Sequence, residues 1–96
     1  MKRKRKFDTV HNRVLRALSD PTRRSLLDLL RDQPRTTGEL CARFKTLSRF
    51  AVMKHLRVLE ETRLVIPKKV GRMRWNHLNA DPIRELDRHW LKDYRA

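Results

Sequence analysis

The spacing of apolar residues changes near residue 62 of this 96-residue chain, and that change restricts the fold more than any other feature. Before it, leucines and valines recur every three or four residues, which is the spacing of amphipathic helices. After it, two short runs flank a glycine, which is typical of a β-hairpin, and a last helical segment follows. The pattern predicts a mainly α fold with one small hairpin.

Capping residues mark where the predicted helices begin. An aspartate followed by proline opens a helix at Asp20-Pro21 and again at Asp81-Pro82, and Ser48 precedes another helix in the capping position. The predicted order is α-α-α-α-β-β-α. It comprises helices from Phe7, from Pro21, from Thr36 or Thr37, from Ser48 to about Thr62 and from Asp81, with strands at 64–66 and 73–78.

A turn of about four residues, Lys45-Thr46-Leu47-Ser48, joins the third and fourth helices, as in a helix-turn-helix. A basic hairpin after such a unit makes a winged helix. We therefore predict one winged helix-turn-helix domain over residues 7–96, after a basic flexible tail over residues 1–6.

The charge balance points to a polyanionic partner. Lysine and arginine total 25 against 11 acidic residues, a formal net charge of +14. Nucleic acid is the first candidate partner and an anionic membrane the second. No apolar stretch approaches the roughly 18–20 residues that a membrane span requires, so we expect no membrane association. A single cysteine and no visible targeting signal favour the cytoplasm.

The fourth helix separates apolar from basic residues. At about 100° per residue, one side is aliphatic and the other is basic with two large apolar side chains. Alone, this pattern fits an ordinary amphipathic helix equally well. The preceding turn and the following basic hairpin favour contact with duplex DNA, through cations to phosphates or guanine and apolar groups to thymine methyls. The aliphatic side holds Ala51, Val52, Leu56, Val58 and Leu59; the other holds Arg49, Phe50, Met53, Lys54 and Arg57.

The hairpin concentrates cations around Gly71, which suits a tight tip. Cations on a protruding ribbon fit phosphates or a narrow minor groove, and Arg72 is the predicted tip contact. Protection of an edge strand is the alternative, but one lysine is enough for that. The predicted DNA-binding residues are Ser48, Arg49, Phe50, Met53, Lys54, Arg57, Lys68, Lys69, Arg72 and Arg74.

The first and last helices each carry a narrow apolar stripe. Such stripes could simply cover the core of so small a domain. Two-fold dimers that read paired half-sites are, however, the common solution for a short recognition helix, so we predict a homodimer with Trp90 as its anchor. The predicted interface comprises Phe7, Val10, Val14, Ile83, Leu86, Trp90 and Tyr94.

These motifs together resemble the ArsR family of bacterial and archaeal repressors. The resemblance covers about residues 8 to 95 and rests on 17–24, 26–30, Thr37-Gly38-Glu39-Leu40, Leu47-Ser48, Ala51-Val52, His55-Leu56, Val58-Leu59, Leu64-Val65, Gly71-Arg72 and Leu78. It implies a homodimer, joined through the first and last helices, that represses by occluding an imperfect inverted repeat near a promoter.

The chain departs from the family pattern at three positions. Arg49 and Met53 are larger than the small polar residues usual in the family, which implies an unusual operator. Arg63 stands where a glycine normally follows the recognition helix. It must adopt a left-handed conformation or end the helix differently.

A metal-responsive function would need ligands that the sequence does not complete. Cys41 supplies only the first thiol of the family's third-helix pattern, and Asp87 and His89 match only half of its last-helix pattern. We expect no metal and no cofactor, and no effector can be named. Cys41 also fits a redox switch, but its place beside Leu40 and Phe44 favours a buried, inert thiol.

An enzymatic function and two other binding functions compete with DNA binding. No Ser-His-Asp set, phosphate loop or carboxylate pair is present, so we expect no enzyme. An RNA- or ribosome-associated protein would need exposed aromatic residues for base stacking, and Phe50 alone lies on a basic face. A winged helix that binds only other proteins would retain its function without the basic face of the fourth helix.

Overall fold

The structure, a computed structural model, describes the backbone of residues 6–95 and the side chains of residues 9–95. Apart from Lys6, the predicted basic tail lies outside the described residues, and so does the side chain of Phe7. The elements in chain order are α1 (Lys6–Leu18), α2 (Pro21–Asp32), β1 (Arg35–Thr36), α3 (Thr37–Arg43), α4 (Arg49–Glu61), β2 (Val65–Val70), β3 (Met73–Leu78), α5 (Asp81–His89) and a short 3₁₀ helix (Leu91–Tyr94).

Side-chain caps begin three of these helices at the predicted residues. Asp20 accepts a hydrogen bond from the backbone N–H of Arg23 at 3.0 Å. That bond is the main reason why the pKa of the Asp20 carboxyl lies below its usual range. Thr36 and Ser48 cap α3 and α4 in the same way. The prediction for α5 is wrong in one detail, because Asp81 is its first helical residue and Ala80, at the N-cap, forms no side-chain bond.

The core forms around one face of α4. Val52, Leu56 and Leu59 are at most 2% exposed. Burial of aliphatic side chains of this size stabilises the fold by about 1.5–3 kcal/mol each. Their neighbours in the core come from α1, α2, α3 and α5 and from the start of the hairpin. They are Val14, Ala17, Leu26, Leu27, Leu30, Leu40, Leu64, Val65 and Leu86.

Arg63 ends α4 in a left-handed conformation, with a φ of 62°. The backbone N–H of Leu64 donates to the Leu59 carbonyl at 2.9 Å, and that of Arg63 donates to the Glu60 carbonyl at 3.0 Å. This pair of bonds is a Schellman motif. Of the two alternatives open from the sequence, the helix therefore takes the left-handed one and turns directly into β2.

The hairpin belongs to a three-stranded antiparallel sheet with the order β1-β3-β2. Strand β1 is missing from the predicted order, because two residues carry no periodic signal. Strand β2 runs to Val70, four residues beyond the predicted end, so Lys68 and Lys69 lie in the strand rather than the loop. Gly71, at a φ of 61°, and Arg72 form the turn, as in a type II′ hairpin.

The last helix is interrupted. Helix α5 ends at His89, and Trp90 (φ −149°, ψ −60°) precedes the 3₁₀ helix. The predicted stripe through Tyr94 is therefore not one continuous helical face. The Trp90 and Tyr94 rings meet edge to face, with centroids 5.6 Å apart. Within the described residues, no helix is long and apolar enough to cross a membrane.

We expect Arg63→Gly to raise the free energy of unfolding by about 1 kcal/mol, because a β-carbon in the left-handed region costs roughly that much. Arg63→Ala, which keeps the β-carbon, is the control and should bring no such gain. Urea unfolding at one protein concentration measures both. An unchanged or lower free energy of unfolding for the glycine variant would show that the left-handed conformation of Arg63 is not strained.

Candidate nucleic-acid interface

Helix α4 presents its basic face to solvent, opposite the face that packs into the core. Arg49, Lys54 and Arg57 are exposed. Phe50 is 76% exposed and Met53 is 38% exposed, so both apolar side chains reach solvent beside these cations. Over the first nine residues of α4 the exposed face has no acidic residue. This surface combines cations with two apolar groups, as base edges and phosphates require.

The turn before α4 orients this face. Residues 44–48 separate α3 from α4, and Ser48 accepts a hydrogen bond from the N–H of Ala51 at 3.1 Å. Because the Ser48 side chain binds a backbone N–H that has no partner within the helix, α4 is helical from its first residue, Arg49. Ser48 itself is exposed at the N-terminal end of α4, in the capping position that the sequence predicts.

The wing carries its cations on two faces and at its tip. Lys69 pairs with Arg74 across the ladder and Lys68 with Trp75, so the two lysines point to opposite faces of the ribbon. Both lysines and Arg72 are exposed. Arg72 lies in the turn between β2 and β3, at the tip of the hairpin.

Arg74 is placed differently from the other predicted DNA-binding residues. Its Nη2 forms an ion pair with Oε2 of Glu60, and its side chain is only 39% exposed. Its Nε is buried. The structure therefore turns the guanidinium of Arg74 toward α4, on the face of the ribbon that it shares with the exposed Lys69.

Three further arginines serve the fold. Arg23 donates to the carbonyls of Ala17 and Arg16, Arg24 donates to that of Leu18, and Arg35 donates to that of Leu29. Carbonyls at the ends of helices lack partners within the helix, so these guanidinium groups stabilise the C-terminal ends of α1 and α2. Because these three side chains bind backbone carbonyls, they do not belong to the candidate interface.

Asn76 is a positioning residue that the sequence analysis missed. It is fully buried on β3, and its Nδ2 donates to the Arg35 carbonyl at 3.2 Å and to Oγ1 of Thr37 at 3.1 Å. The available signal in the sequence was a polar residue at a position of β3 where strand alternation predicts an inward side chain. Its hydrogen-bond partners could not be predicted, because they lie about forty residues earlier in the chain. Asn76 attaches the wing to the start of α3.

His55 has partners, as a largely buried histidine requires. Its side chain is 25% exposed, with Nδ1 3.8 Å from Oδ2 of Asp20. The same nitrogen lies 3.4 Å from Nη1 of Arg23. His55 thus connects the middle of α4 to the start of α2, and it does not contribute to the exposed basic face.

Cys41 belongs to no group of candidate metal ligands in the part of the chain that the structure describes. The cysteine is half-buried and packs against the core. Over the described residues, no three His, Cys, Asp or Glu side chains are grouped to hold a metal. Asp87 pairs with Arg95 at 3.1 Å, and Nε2 of His89 lies 3.1 Å from Oε2 of Glu85. A hydrogen bond from Arg88 is the main cause of a lowered pKa at Glu85.

The predicted dimer residues whose side chains the structure describes fall into two groups. Val14 and Leu86 are 2% and 1% exposed, so we correct their assignment: they belong to the core of the single chain. Both stripes face inward at these positions, and a buried side chain adds no area to an interface. Val10, Trp90 and Tyr94 are 51%, 46% and 74% exposed, and Ile83 is half-buried. For these four residues the interface stays a prediction.

Comparison with known proteins identifies the fold family. A helix-turn-helix domain family matches residues 18–67, more than half of the chain. A crystal structure of an ArsR family transcriptional regulator superposes with a TM-score of 0.81 at 30% identity, covering 98% of this chain and 92% of that one. The chain belongs to the ArsR family.

Two curated relatives agree with this assignment. An HTH-type transcriptional regulator of Mycobacterium tuberculosis is 38% identical over 85 residues, covering 84% of this chain and 78% of that protein. The transcriptional repressor SdpR of Bacillus subtilis is 29% identical over 83 residues, covering 86% and 90%. The chain is thus a DNA-binding transcriptional regulator with a winged helix-turn-helix fold. Both predictions are confirmed, as is the prediction that it is not an enzyme, because the family consists of regulators.

We expect Phe50 to contact a thymine methyl group. In a duplex that the protein selects, replacing the contacted thymine by deoxyuridine removes only that methyl and should weaken binding about fourfold, the value of one buried methyl group. Phe50→Ala should bind both duplexes equally. The same replacement at a thymine outside the α4 contacts is the control. Equal discrimination by wild type and Phe50→Ala would assign the methyl contact to another residue.

Proposed function

We propose that this ArsR family protein is a repressor that binds an inverted-repeat operator as a homodimer. In each half-site, α4 enters the major groove and the wing contacts the neighbouring phosphates or minor groove. The observation that carries the proposal is the exposed face of α4, where cations and two large apolar side chains occur without an acidic residue between Arg49 and Arg57.

The geometry of α4 suits base recognition. In helix-turn-helix proteins, residues near the start of the recognition helix reach base edges. Arg49, Phe50, Met53 and Lys54 occupy the first two turns and are all exposed. The two glutamates lie in the last turn, away from the bases. Because α4 carries cations near its start and two glutamates at its end, its N-terminal half is the part that DNA attracts into the groove.

A second copy of the chain is the proposed occupant of the surface formed by α1 and α5. A groove of about 750 Å³ lies between α1, the end of α4 and the start of α5, lined in part by Val10, Thr62 and Pro82. Val10, Trp90 and Tyr94 are exposed apolar residues on the same two terminal segments. Packing two such surfaces across a two-fold axis removes them from water. Binding to paired half-sites then requires the two α4 helices to lie one DNA turn apart, roughly 34–36 Å.

Repression by occlusion of a promoter is the mode of action that membership of the ArsR family implies for this chain. The relative SdpR is named a repressor, which supports the same direction of regulation. The proposed place of action is the cytoplasm.

Selection of bound fragments from genomic DNA, followed by footprinting, tests the function. The expected site is an imperfect palindrome, and log affinity should fall with log salt at a slope of about −5 to −9 if six to ten phosphates are contacted. Lys54→Ala should relax discrimination at particular bases by about 1–3 kcal/mol, while Arg72→Ala should weaken all sequences more evenly.

Arg31→Ala is the matched control, because it removes one exposed charge from α2, outside α4 and the wing. It should leave base discrimination unchanged. A slope near zero, or equal affinity for single-stranded RNA, would reject duplex recognition and favour the RNA-associated alternative.

Trp90→Ala should convert the dimer into monomers and reduce operator affinity by at least tenfold, because the anchor of a small interface carries much of its energy. Light scattering after gel filtration at micromolar concentration measures the mass. Val70→Ala is the control for assembly, since Val70 is a 63% exposed apolar residue on the wing. A wild-type protein that is monomeric at micromolar concentration would refute the dimer.

A further inference from the structure

We infer that Glu60 and Arg74 form a clamp that fixes the wing against the recognition helix, so that Arg74 is a positioning residue and not a phosphate ligand. The inference rests on the proposed function for its effect on DNA binding. It concerns how the two DNA-contacting surfaces keep their relative orientation, which neither surface determines alone.

The ion pair joins the last turn of α4 to the second residue of β3. Nη2 of Arg74 contacts Oε2 of Glu60, and the two side chains are only 39% and 24% exposed. The Nε of Arg74 is buried, so this end of the guanidinium is directed into the protein. A partly buried pair is screened less by salt than the exposed pairs on α5, and loss of one partner leaves the other charge poorly solvated.

A second polar attachment lies on the same face of β3. Asn76 is two residues from Arg74, and alternation along a strand places both side chains on one face. Through Asn76 the strand is bonded to the Arg35 carbonyl and to Thr37 at the start of α3. Strand β3 is therefore attached to both helices of the helix-turn-helix unit, to α3 by Asn76 and to α4 by Arg74.

The clamp adjoins residues that are proposed to contact bases. A cavity of about 40 Å³ between α4 and β3 is lined by Glu60 and Arg74 together with Met53 and Arg57. A change in the angle of the wing would therefore displace the surroundings of Arg57 as well as the wing cations. The pair is placed to affect both DNA-contacting surfaces.

Net charge alone and the clamp predict opposite changes in DNA affinity when Glu60 is removed. Removing an acidic residue close to a polyanion should strengthen binding. It should also release Arg74 for a new phosphate contact, which would steepen the salt slope by about 0.9. If Glu60 instead holds the wing in place, its removal weakens binding although the protein becomes more positive.

Glu60→Ala and Glu61→Ala provide the test, because they remove the same charge from adjacent residues of one helix turn. Glu61 is exposed and forms no ion pair with the side chains that the structure describes. Because Glu61 also lines the groove proposed for the second copy, the mass of Glu61→Ala is first measured by light scattering and should equal that of wild type. On the selected operator, Glu61→Ala should bind as tightly as wild type or more tightly. Glu60→Ala should bind about three- to tenfold more weakly, with a salt slope no steeper than that of wild type.

Arg74→Ala completes a double-mutant cycle. Because both residues act through one contact, the double variant Glu60→Ala/Arg74→Ala should lose no more affinity than Arg74→Ala alone. The inference is overturned if Glu60→Ala binds as tightly as Glu61→Ala, or if the two losses add.

A measurement without DNA separates the clamp from the proposed function. Backbone amide hydrogen exchange of β2 and β3 should be faster in Glu60→Ala and Arg74→Ala than in Glu61→Ala, because the hairpin loses an attachment. Unchanged exchange would overturn the clamp whatever the DNA results. If wild type binds no duplex, the proposed function fails, while faster exchange would still establish the clamp.

Discussion

The interaction on which the structure depends is the burial of the aliphatic face of α4 against α2, α3 and the start of the hairpin. Val52, Leu56 and Leu59 recur at helical spacing and are almost completely buried. Rotation of α4 about its axis would expose them, at a cost of several kcal/mol for three side chains of this size. With the inner face held in the core, the outer face can only be the basic one. A requirement of packing thus sets the direction of the DNA-contacting side chains.

The positive charge is divided between two roles. Arg23, Arg24 and Arg35 bind helix carbonyls, and Arg74 binds Glu60, so their guanidinium groups hold elements together. The exposed cations of α4 and of the wing remain available to phosphates. The formal charge of +14 therefore overstates the charge that the interface can offer to DNA.

Local features were predictable and long-range ones were not. The faces of α4, the Ser48 cap and the Gly71 turn follow from the spacing and conformational preferences of neighbouring residues, and the structure agrees with all three. At Arg63 the sequence left two conformations open, because the left-handed turn accompanies the burial of Leu64 in a core built from distant parts of the chain.

The other differences arise from contacts that join distant parts of the chain. Strand β1 exists because β3 pairs with it, some forty residues later. The same separation hides the bonds of Asn76. The terminal stripes showed which residues are apolar but not what would cover them, so Val14 and Leu86 were assigned to a partner chain although their own domain buries them. Nor does any local signal mark the interruption at Trp90.

Strand β2 forms an outer edge of the sheet, and this has a consequence for behaviour in concentrated solution. An unpaired edge offers a row of backbone groups on which another chain can add a strand. Here Pro67 removes one donor from that row, and Lys68 and Lys69 repel the same residues of a second molecule. Two wings brought together on neighbouring sites therefore resist joining into a continuous sheet. The lysines proposed to bind phosphate thus also protect the protein against aggregation.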